Sequence, residues 1–474
     1  MTKEAIDLED TEKFLESTDP TLTKIISNKH QVTFNGLSKD EIMRYGNDPT
    51  WVKIRWMLFI FFWAVWIGML TFAILIVVYS PKCPYRPKLK WWQNDLIYQV
   101  DVENFSDSDS NNIGDLTGLI DRIDYFEKLG VKSIALRDNV LEDRARGVKK
   151  NYGSLETLAK LKREMEKREM FLVIDVPLEK LKTNDTETLN FWLRNYADGV
   201  RIDSHVPSAK LDKWLELAEQ IHSETFKYKL IATHSNKSET ENEESYLNLG
   251  ADFGSTSTAD LKDVNKFLSK IEDSAKSNGY TLNSYNSGRI ADSIEPSLLK
   301  IYHSLVLLLK GSPLVLYGDE IALNKQNPRM KWESSGNCGF SPNKTSTLKS
   351  NCQVSVKASL AHGSGETLLK IYQELIKLRK EPSINWGKVY VNKNVTDSNV
   401  ISYLRQADGF DGYLIVANVA NSQPEFVDLV QRHQLRSDVA QVVFFHSNSP
   451  TNHDDFKENN TSSDALNLSK QQSS

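Results

Sequence analysis

One short segment places oxygen-bearing side chains at alternate positions, a spacing that can bind a hard metal ion. Asp107, Asp109, Asn111 and Asp115 alternate in this way, and Ile113 occupies the position where a backbone carbonyl would be the ligand. Carboxylate, amide and carbonyl oxygens are the ligands that calcium prefers. We therefore expect a structural calcium ion in this loop and no other cofactor; the alternative is a solvated acidic turn without a metal.

Three cysteines are further candidates for chemistry, and their odd number leaves one thiol without a partner in the chain. We expect an intrachain disulfide between Cys338 and Cys352, closing a loop of about 15 residues and contributing about 3 kcal/mol in the chain-entropy model. Cys83 lies just beyond a long apolar run. We expect it to form an intermolecular disulfide, with an extracellular loop of another membrane protein or with Cys83 of a second copy. A free or lipidated thiol is the alternative.

The apolar run extends from Met57 to Tyr79 and contains no charged residue. As an α-helix rising 1.5 Å per residue it spans about 34 Å, which exceeds the hydrocarbon core of about 30 Å. Trp56 and Tyr79 lie at its ends, where amphipathic rings are favoured. A signal peptide would lie at the N-terminus rather than after a long polar segment. The sequence therefore predicts one transmembrane helix over residues 57–79.

The lysines and arginines on the two sides of this run are similar in number, so they do not decide its orientation. Every Asn-x-Ser/Thr sequon follows the run, which favours a C-terminal region that is luminal and then extracellular. We therefore expect a single-pass type II protein of the plasma membrane. The candidate N-glycosylation sites are Asn104, Asn184, Asn236, Asn343, Asn394, Asn459, Asn460 and Asn467.

The composition is that of a packed globular protein, with 40% hydrophobic and 26% charged residues. The net charge of −5 gives no sign of the basic surface that a nucleic-acid-binding protein needs, so we expect no nucleic-acid partner. Residues 1–50 are polar and are expected to form a cytosolic tail that is mostly disordered. Prolines at 80–90 predict a short extended stalk, and residues 447–474 read as a disordered polar tail.

Between the stalk and the tail, short β-branched runs alternate with amphipathic helical patterns, which predicts parallel strands joined by crossover helices. The fold class is therefore α/β, with a (β/α)8 barrel over 91–383 that is closed by a helix at 366–380. A small antiparallel β domain is expected over 384–446, from the runs NVISYLRQ, GYLIVANV and QVVFFHS. The runs that predict barrel strands are DLIYQVD, VKSIAL, FLVIDVP, DGVRID, KLIATHS, GYTLN and PLVLYGDE.

Two groups of motifs resemble known families. WWQNDLIYQV, IGDLTGLIDRIDYFEKLGV, FLVIDVP, DGVRID, GSPLVLYGDEIAL and MKWESSGNCGFS resemble family 13 glycoside hydrolases, the α-amylase and oligo-1,6-glucosidase group. The segment FNGLSKDEIMRYGNDPTWVKIRW, the single apolar run, the SPKC stalk and the following LKWW resemble the heavy subunits of heteromeric amino-acid transporters. Those subunits are type II glycoproteins with a glucosidase-like ectodomain. The acidic segment at 107–115 is also similar to the calcium loop of the oligo-1,6-glucosidase group.

A retaining glycosidase needs two carboxyl groups about 5–5.5 Å apart. The resemblance implies which positions of this chain correspond to them. The Gly-Val-Arg-Ile-Asp motif places Asp203 at the nucleophile position, where we interpret it as a vestige held by Arg201. The general acid should be a glutamate at the end of strand 5, where this chain has Thr233 or its neighbour instead. The carboxylate expected after strand 7 is replaced in Ser284-Tyr285-Asn286 by an amide. The resemblance therefore implies that this chain has no catalytic residues.

Two further departures from the glycosidase pattern concern the barrel rim. The family has a sizeable insertion after strand 3 that walls the substrate cleft, but here only a short segment separates Asp175 from Asp198. The Asn-His pair that follows strand 3 in the family is also missing. His205 and His234 match no ligand set, and we interpret both as ordinary residues of the barrel rim.

The transporter resemblance implies a non-catalytic heavy subunit. Such a subunit would bind a polytopic light subunit through the Cys83 disulfide and through membrane and ectodomain contacts, and would promote its surface expression and stability. One apolar helix offers no polar pathway, so transport would belong to the light subunit. A membrane-anchored α-glucosidase and a cell-surface adhesion or scaffold glycoprotein are the alternatives, because barrels host unrelated functions.

Overall fold

The computed structural model describes most of the chain. Its residues fall in two compact units, Met1–Cys83 and Pro84–Ser474, which we describe one at a time. The described residues are 39–46, 48–80, 84–93, 95–142, 146–181, 185–234, 246–282, 288–334, 336–342, 352–361, 367–392, 399–420, 425–433, 435 and 467–468.

The N-terminal unit contains two helices, α1 at Lys39–Gly46 and α2 at Pro49–Tyr79. Helix α2 has 31 residues and begins eight residues before the predicted run, because Asp48 caps it by accepting a hydrogen bond from the Thr50 amide at 2.9 Å. Its mean hydropathy of 2.5 and complete exposure make it, among the described residues, the one helix that is long and apolar enough to cross a membrane. Helix α1 lies within residues 1–50, the tail that is expected to be mostly disordered.

The second unit is built on a closed barrel of eight parallel strands, which confirms the predicted fold class. Helices on the outside connect successive strands, as the alternation of patterns indicated. The strands are β1 Ile97–Val100, β2 Ser133–Leu136, β3 Phe171–Asp175, β4 Gly199–His205, β5 Leu230–His234, β6 Leu247–Asp252, β7 Gly279–Thr281 and β8 Ser312–Leu316.

The helices of this unit run from the first crossover to the C-terminal region, with short 3-10 turns at Trp91–Gln93, Val102–Asn104, Asp138–Val140, Leu178–Leu181 and Asp319–Ile321. They are α3 Leu116–Asp121, α4 Ile123–Leu129, α5 Leu155–Glu166, α6 Asp185–Asn195, α7 Ser208–Thr225, α8 Thr258–Lys262, α9 Val264–Ser274, α10 Ile290–Ser293, α11 Pro296–Leu307, α12 Val356–Ala361, α13 Leu368–Leu378, α14 Pro382–Asn385 and α15 Leu429–His433.

Strand β6 was not predicted from the sequence. Its residues LNLGAD include asparagine, glycine and aspartate, which have low β propensity. Leu247 and Leu249 are buried in the barrel interior, and the register with β7 shifts between Leu249 and Ala251. The strand therefore forms because its neighbours complete the barrel, which is a tertiary effect that a local pattern does not carry.

The barrel interior is apolar and is closed at its amino-terminal end by tryptophans. Trp92 is 1% exposed and packs among the inward-facing side chains of the strands. Trp91 stacks on Phe171 with ring centroids 4.4 Å apart, and its indole nitrogen donates to the Tyr228 carbonyl at 3.1 Å. The chain therefore enters the barrel through a packed aromatic floor.

Between β3 and β4 the described residues form only a 3-10 turn, Leu178–Leu181, and helix α6. The crossover is thus a single helix, as expected for a barrel that lacks the insertion after strand 3. Helix α6 buries Leu189, Trp192 and Leu193 against the barrel rather than projecting over its rim.

After α13 and α14 the chain forms a three-stranded antiparallel sheet with the order β11-β10-β9. Strand β10 is fixed to the barrel by Arg405, which is fully buried and donates to the carbonyls of Leu308 at 2.6 Å and Gly387 at 3.0 Å. The run QVVFFHS lies outside the described residues, and β13 lies in the segment 447–474 that is expected to be a disordered polar tail. The strands are β9 Lys388–Val391, β10 Val400–Gln406, β11 Tyr413–Asn418, β12 Glu425–Phe426 and β13 Asn467–Leu468.

Candidate functional site

The carboxyl ends of β1, β3, β4 and β5 bring together a set of polar side chains that we call the rim cluster. Because the carboxyl ends of parallel strands face the same end of a barrel, residues far apart in sequence meet there. The rim cluster consists of Gln99, Asp175, Arg201, Asp203 and His234.

Asp175 is the buried centre of the rim cluster. Arg201 donates to both of its carboxylate oxygens at 2.7 Å, and Gln99 donates to Oδ2 at 2.6 Å. Burial by itself would lower the pKa of Arg201, but the adjacent Asp175 charge outweighs burial and raises that pKa above its ordinary value. Burial raises the pKa of Asp175 despite the neighbouring Arg201 charge, and the two side chains form a buried, bidentate salt bridge inside the barrel.

Asp203, at the expected nucleophile position, lies beside this pair and is partly exposed. Its Oδ1 is 3.3 Å from an Arg201 guanidinium nitrogen and 3.2 Å from His234 Nε2. The hydrogen bond from His234 and the Arg201 charge hold the pKa of Asp203 below its usual range, against the effect of partial burial. Asp203 is thus an ionised carboxylate that both neighbours stabilise.

Thr233, at the position expected for the general acid, is fully buried. Its hydroxyl donates to the Ser204 carbonyl at 2.9 Å, so it is bonded to the backbone of β4. Among the described residues, the ion-pair partners of Asp203 are Arg201 and His234, neither of which is a carboxylic acid. Residues Ser284, Tyr285 and Asn286 lie outside the described part of the chain.

Sequence reasoning missed the contact between His234 and Asp203. The two histidines interpreted as rim residues are directly paired in the register of β4 and β5, with His205 exposed and His234 turned to the carboxylate. The signal was present, because a residue that ends β5 must lie next to the end of β4.

The segment 107–115, which we call the acidic loop, follows β1 at the same end of the barrel. Carboxylate oxygens of Asp107, Asp109 and Asp115 lie within 4.8 Å of one another. Two oxygens on a calcium ion with bonds of about 2.3–2.6 Å lie no more than about 5 Å apart, so these three carboxylates fit such an ion. Asn111, by contrast, accepts the Ile113 amide at 2.6 Å within the loop.

Backbone amides also bind the carboxylates of the acidic loop. Asp107 accepts the amides of Ser110 and Asn112 at 2.8 Å, and Asp115 accepts those of Ser108 and Gly118 at 2.8 Å. Partial burial opposes the ionised form of Asp107, but these bonds and one from Ser341 lower its pKa. The loop is therefore organised by its own donors.

Cys338 and Cys352 form a disulfide with Cα atoms 5.2 Å apart. The turn that carries Cys338 is bonded to the acidic loop, since the Phe340 carbonyl accepts the Asp107 amide at 2.9 Å. Trp332, whose amide donates to the Cys338 carbonyl at 2.7 Å, donates through its indole to the Phe105 carbonyl at 2.9 Å. The disulfide thus braces the loop that follows β1.

A buried carboxyl that the sequence did not single out lies close to this region. Glu320 is completely buried, and the hydroxyls of Tyr98 and Tyr125 donate to its Oε1 at 2.6 and 2.5 Å. Burial raises the pKa of Glu320. Its partners come from β1 and α4, whereas Glu320 itself lies in the turn after β8, so only the folded chain brings them together.

The remaining expected site residues are distributed over the chain. Asn104 is half-buried and its amide donates to Asp101 Oδ2 at 3.0 Å, while Asn467 lies in β13. The positions outside the described residues are Cys83, Asn184, Asn236, Asn343, Asn394, Asn459 and Asn460.

Comparison with known proteins gives two family matches that meet at the start of the barrel. The family described as "Solute carrier family 3 member 2 N-terminus" matches residues 22–98, and "Alpha amylase, catalytic domain" matches residues 99–180. The first match covers α2 and the stalk, and the second covers the strands β1 to β3.

Individual relatives match over a longer part of the chain. It is 27% identical to the amino acid transporter heavy chain SLC3A2 of Oryctolagus cuniculus, over 81% of this chain and 77% of that protein. It is 19% identical to the amino acid transporter heavy chain SLC3A1 of Homo sapiens, over 82% and 78%. It is 30% identical to the glucan 1,6-alpha-glucosidase of Streptococcus pneumoniae, over only 22% and 20%.

Solved structures show the same barrel. A family GH13_31 enzyme superposes with a TM-score of 0.56 at 17% identity, covering 72% of this chain and 94% of that one. The trehalulose synthase MutB from Pseudomonas mesoacidophila MX-45 gives 0.54 at 17% identity, covering 72% and 93%. Identities this low show the fold alone. With its one apolar helix, the chain fits a single-pass membrane protein, and it resembles the heavy chains of amino-acid transporters, with a barrel of the α-amylase type.

Proposed function

We propose that this chain is a non-catalytic heavy subunit of a heteromeric amino-acid transporter. The observation that carries the proposal is the extent of the similarity. Heavy-chain relatives align over about four fifths of the chain, and the family model that matches residues 22–98 includes the membrane segment, whereas a glucosidase relative aligns over about one fifth. A membrane-anchored enzyme would not be expected to share the N-terminal segment with transporter heavy chains.

The rim cluster supports a non-catalytic barrel. Retaining hydrolysis needs a nucleophile and a protonated acid that act together. Asp203 is instead bonded to Arg201 and His234, and the buried hydroxyl of Thr233 bonds to the backbone. A threonine hydroxyl cannot protonate a leaving group near neutral pH, and no insertion after β3 encloses a sugar.

The membrane segment supports a partner that supplies the transport pathway. Helix α2 is apolar on all sides and its described side chains are exposed, so it contacts lipid or other helices. A single helix of this kind has no polar route for an amino acid. We therefore assign transport to a polytopic light subunit that is linked through Cys83, with the barrel extracellular. In this assignment the heavy subunit stabilises the light subunit and promotes its surface expression.

A non-reducing gel of cells that express the full chain with its transporter tests this proposal. A heterodimer band that collapses with reductant is expected, and Cys83→Ser should remove it. The matched control is Cys338→Ser combined with Cys352→Ser, which removes the intrachain bond and should leave the heterodimer. Persistence of the band in Cys83→Ser contradicts the disulfide. Purification without any polytopic protein contradicts the heavy-subunit assignment.

The acidic loop is proposed as a structural calcium site. Asp107, Asp109 and Asp115 would hold the ion, and its two positive charges would offset most of the charge of the three neighbouring carboxylates. The ion would stiffen the connection between β1 and α3 and would take no part in chemistry. A calcium-dependent rise in the unfolding temperature, lost in Asp109→Asn, is the expected result; Asp109 is the exposed member of the group. Identical unfolding in calcium and in chelator contradicts it.

A further inference from the structure

The loop between α7 and β5 exposes an aromatic ring at the amino-terminal end of the barrel. Phe226 is 86% exposed and ends α7 in the left-handed region, with φ of 57°. Glycine is the usual residue in this position, because a side chain there crowds the backbone. A bulky residue at such a φ is uncommon, and packing within the barrel does not account for it.

This loop lies where the stalk enters the barrel. Trp91 donates to the Tyr228 carbonyl at 3.1 Å, and the Lys90 ammonium lies 5.1 Å from the centre of the Tyr228 ring. Residues 80–90 connect Trp91 to the end of α2. Eleven extended residues span at most about 40 Å. The loop is therefore joined through Trp91 to the segment that would cross the bilayer by a short length of chain.

Exposed aromatic residues are concentrated in the stalk and this loop. From Pro84 onward, six large hydrophobic side chains of the described residues are exposed, and three of them are Tyr85, Phe226 and Tyr228. Lys88 and Lys227 are exposed beside them. Aromatic rings accompanied by lysines are favoured in the headgroup region, where the ring is partly dehydrated and the ammonium remains in water.

We propose that residues 225–228 insert into the headgroup region of the phospholipid bilayer, with the Phe226 ring as the anchor. The inference rests on the proposed membrane crossing of α2 and not on the identity of a light subunit. A specific protein interface needs about 800 Å² on each partner, which one ring between lysines does not provide. The loop would hold the barrel floor against the membrane and limit its tilt.

A photoreactive phenylalanine tests the position of the ring. p-Benzoylphenylalanine replaces Phe226 in the full chain, which is reconstituted with its transporter in phosphatidylcholine nanodiscs and irradiated. Mass spectrometry should find a phospholipid adduct on the peptide that contains residue 226. Leu360, which is 43% exposed on α12, is the matched control and should give no lipid adduct. A protein adduct at 226, or no adduct, overturns the inference.

Two variants separate insertion from folding. Phe226→Asn tolerates the left-handed backbone, so its unfolding temperature should match that of the native chain. In nanodiscs its loop amides should exchange hydrogen several-fold faster, and Phe226→Trp should restore the slow exchange. Equal exchange in all three chains overturns the inference.

The non-reducing gel distinguishes failure of this inference from failure of the proposed function. A heterodimer without the lipid adduct contradicts insertion alone, and the adduct without a heterodimer contradicts the heavy-subunit assignment alone.

Discussion

The rim cluster and the acidic loop both hold carboxylates at the carboxyl end of the barrel, but they hold them by different means. In the rim cluster one side chain, Arg201, serves both Asp175 and Asp203. In the acidic loop backbone amides bind Asp107 and Asp115. The first arrangement depends on a single cation inside the protein, and the second is distributed over the loop. Loss of a carboxylate should therefore have different consequences in the two regions.

Removing the shared cation, Arg201, should lower the free energy of unfolding more than any of the other changes below. Arg201→Met leaves Asp175 buried without its partner and should cost about 3–5 kcal/mol of unfolding free energy. Urea unfolding of the full chain in detergent measures this. Combining it with Asp175→Leu should recover much of the loss, since no unpaired charge remains. A single variant as stable as the double variant would show that the salt bridge does not hold the rim.

The acidic loop should tolerate the loss of one carboxylate better. Asp107→Ala removes an acceptor for the amides of Ser110, which is exposed, and Asn112, which is half-buried, and losing these two hydrogen bonds should cost about 1–3 kcal/mol in all. The measurement is urea unfolding in the presence of chelator, so that calcium does not contribute. Asp121→Ala, outside the loop on α3, is the control and should lie close to the native chain. A loss as large as that of Arg201→Met would contradict a distributed arrangement.

Glu320 is a carboxyl held in a third way, because neutral hydroxyls rather than charges bond to it. Its pKa is raised by burial, so the folded chain keeps a proton that the unfolded chain loses above its ordinary pKa of about 4.3. Stability should therefore fall as pH rises, by at most about 1.4 kcal/mol per pH unit, until the folded group itself ionises. Glu320→Gln does not titrate and should lack this slope. Urea titrations at several pH values between 4 and 8 compare the two chains, and parallel curves would be the contrary result.

The smallest effect is expected at Asp203. Asp203→Asn removes a partly exposed charge that is paired with Arg201 and His234, and should change the unfolding free energy by no more than about 1 kcal/mol. Because the pKa of Asp203 is lowered in the folded chain, any benefit should be present near neutral pH and disappear as pH falls through that value. Hydrolysis of a chromogenic α-glucoside should be at background in both chains. Hydrolysis of the α-glucoside by the native chain that is lost in Asp203→Asn would support the α-glucosidase alternative instead.

Much of the fold could be predicted from the sequence, because many of its strands are short, continuous runs rich in apolar residues. FLVID and SPLVL became β3 and β8, since strands buried on both faces need no alternation. The four-residue strand KVYV was missed, because a run so short is stabilised by pairing with β10 and not by its own pattern. The start of α2 was missed because charged residues break the apolar run without breaking the helix.

The site was less predictable, because its chemistry depends on which side chains face each other. Motif spacing identified Asp203 and Thr233, but only the register of β4 against β5 reveals that His234 reaches the carboxylate. Glu320 and its two tyrosine partners come from three separate elements, and no local pattern connects them. The positions of site residues can thus be inferred from the sequence, whereas the contacts between their side chains are known only from the folded structure.

The aromatic floor has a mechanical consequence. The stalk continues directly into Trp91 and Trp92, and Trp92 is wedged among the inner side chains of several strands. A pull or a torque on the stalk therefore spreads over the hydrogen-bonded sheet instead of straining a flexible hinge. A load applied at Lys90 should thus be shared among the strands that surround Trp92.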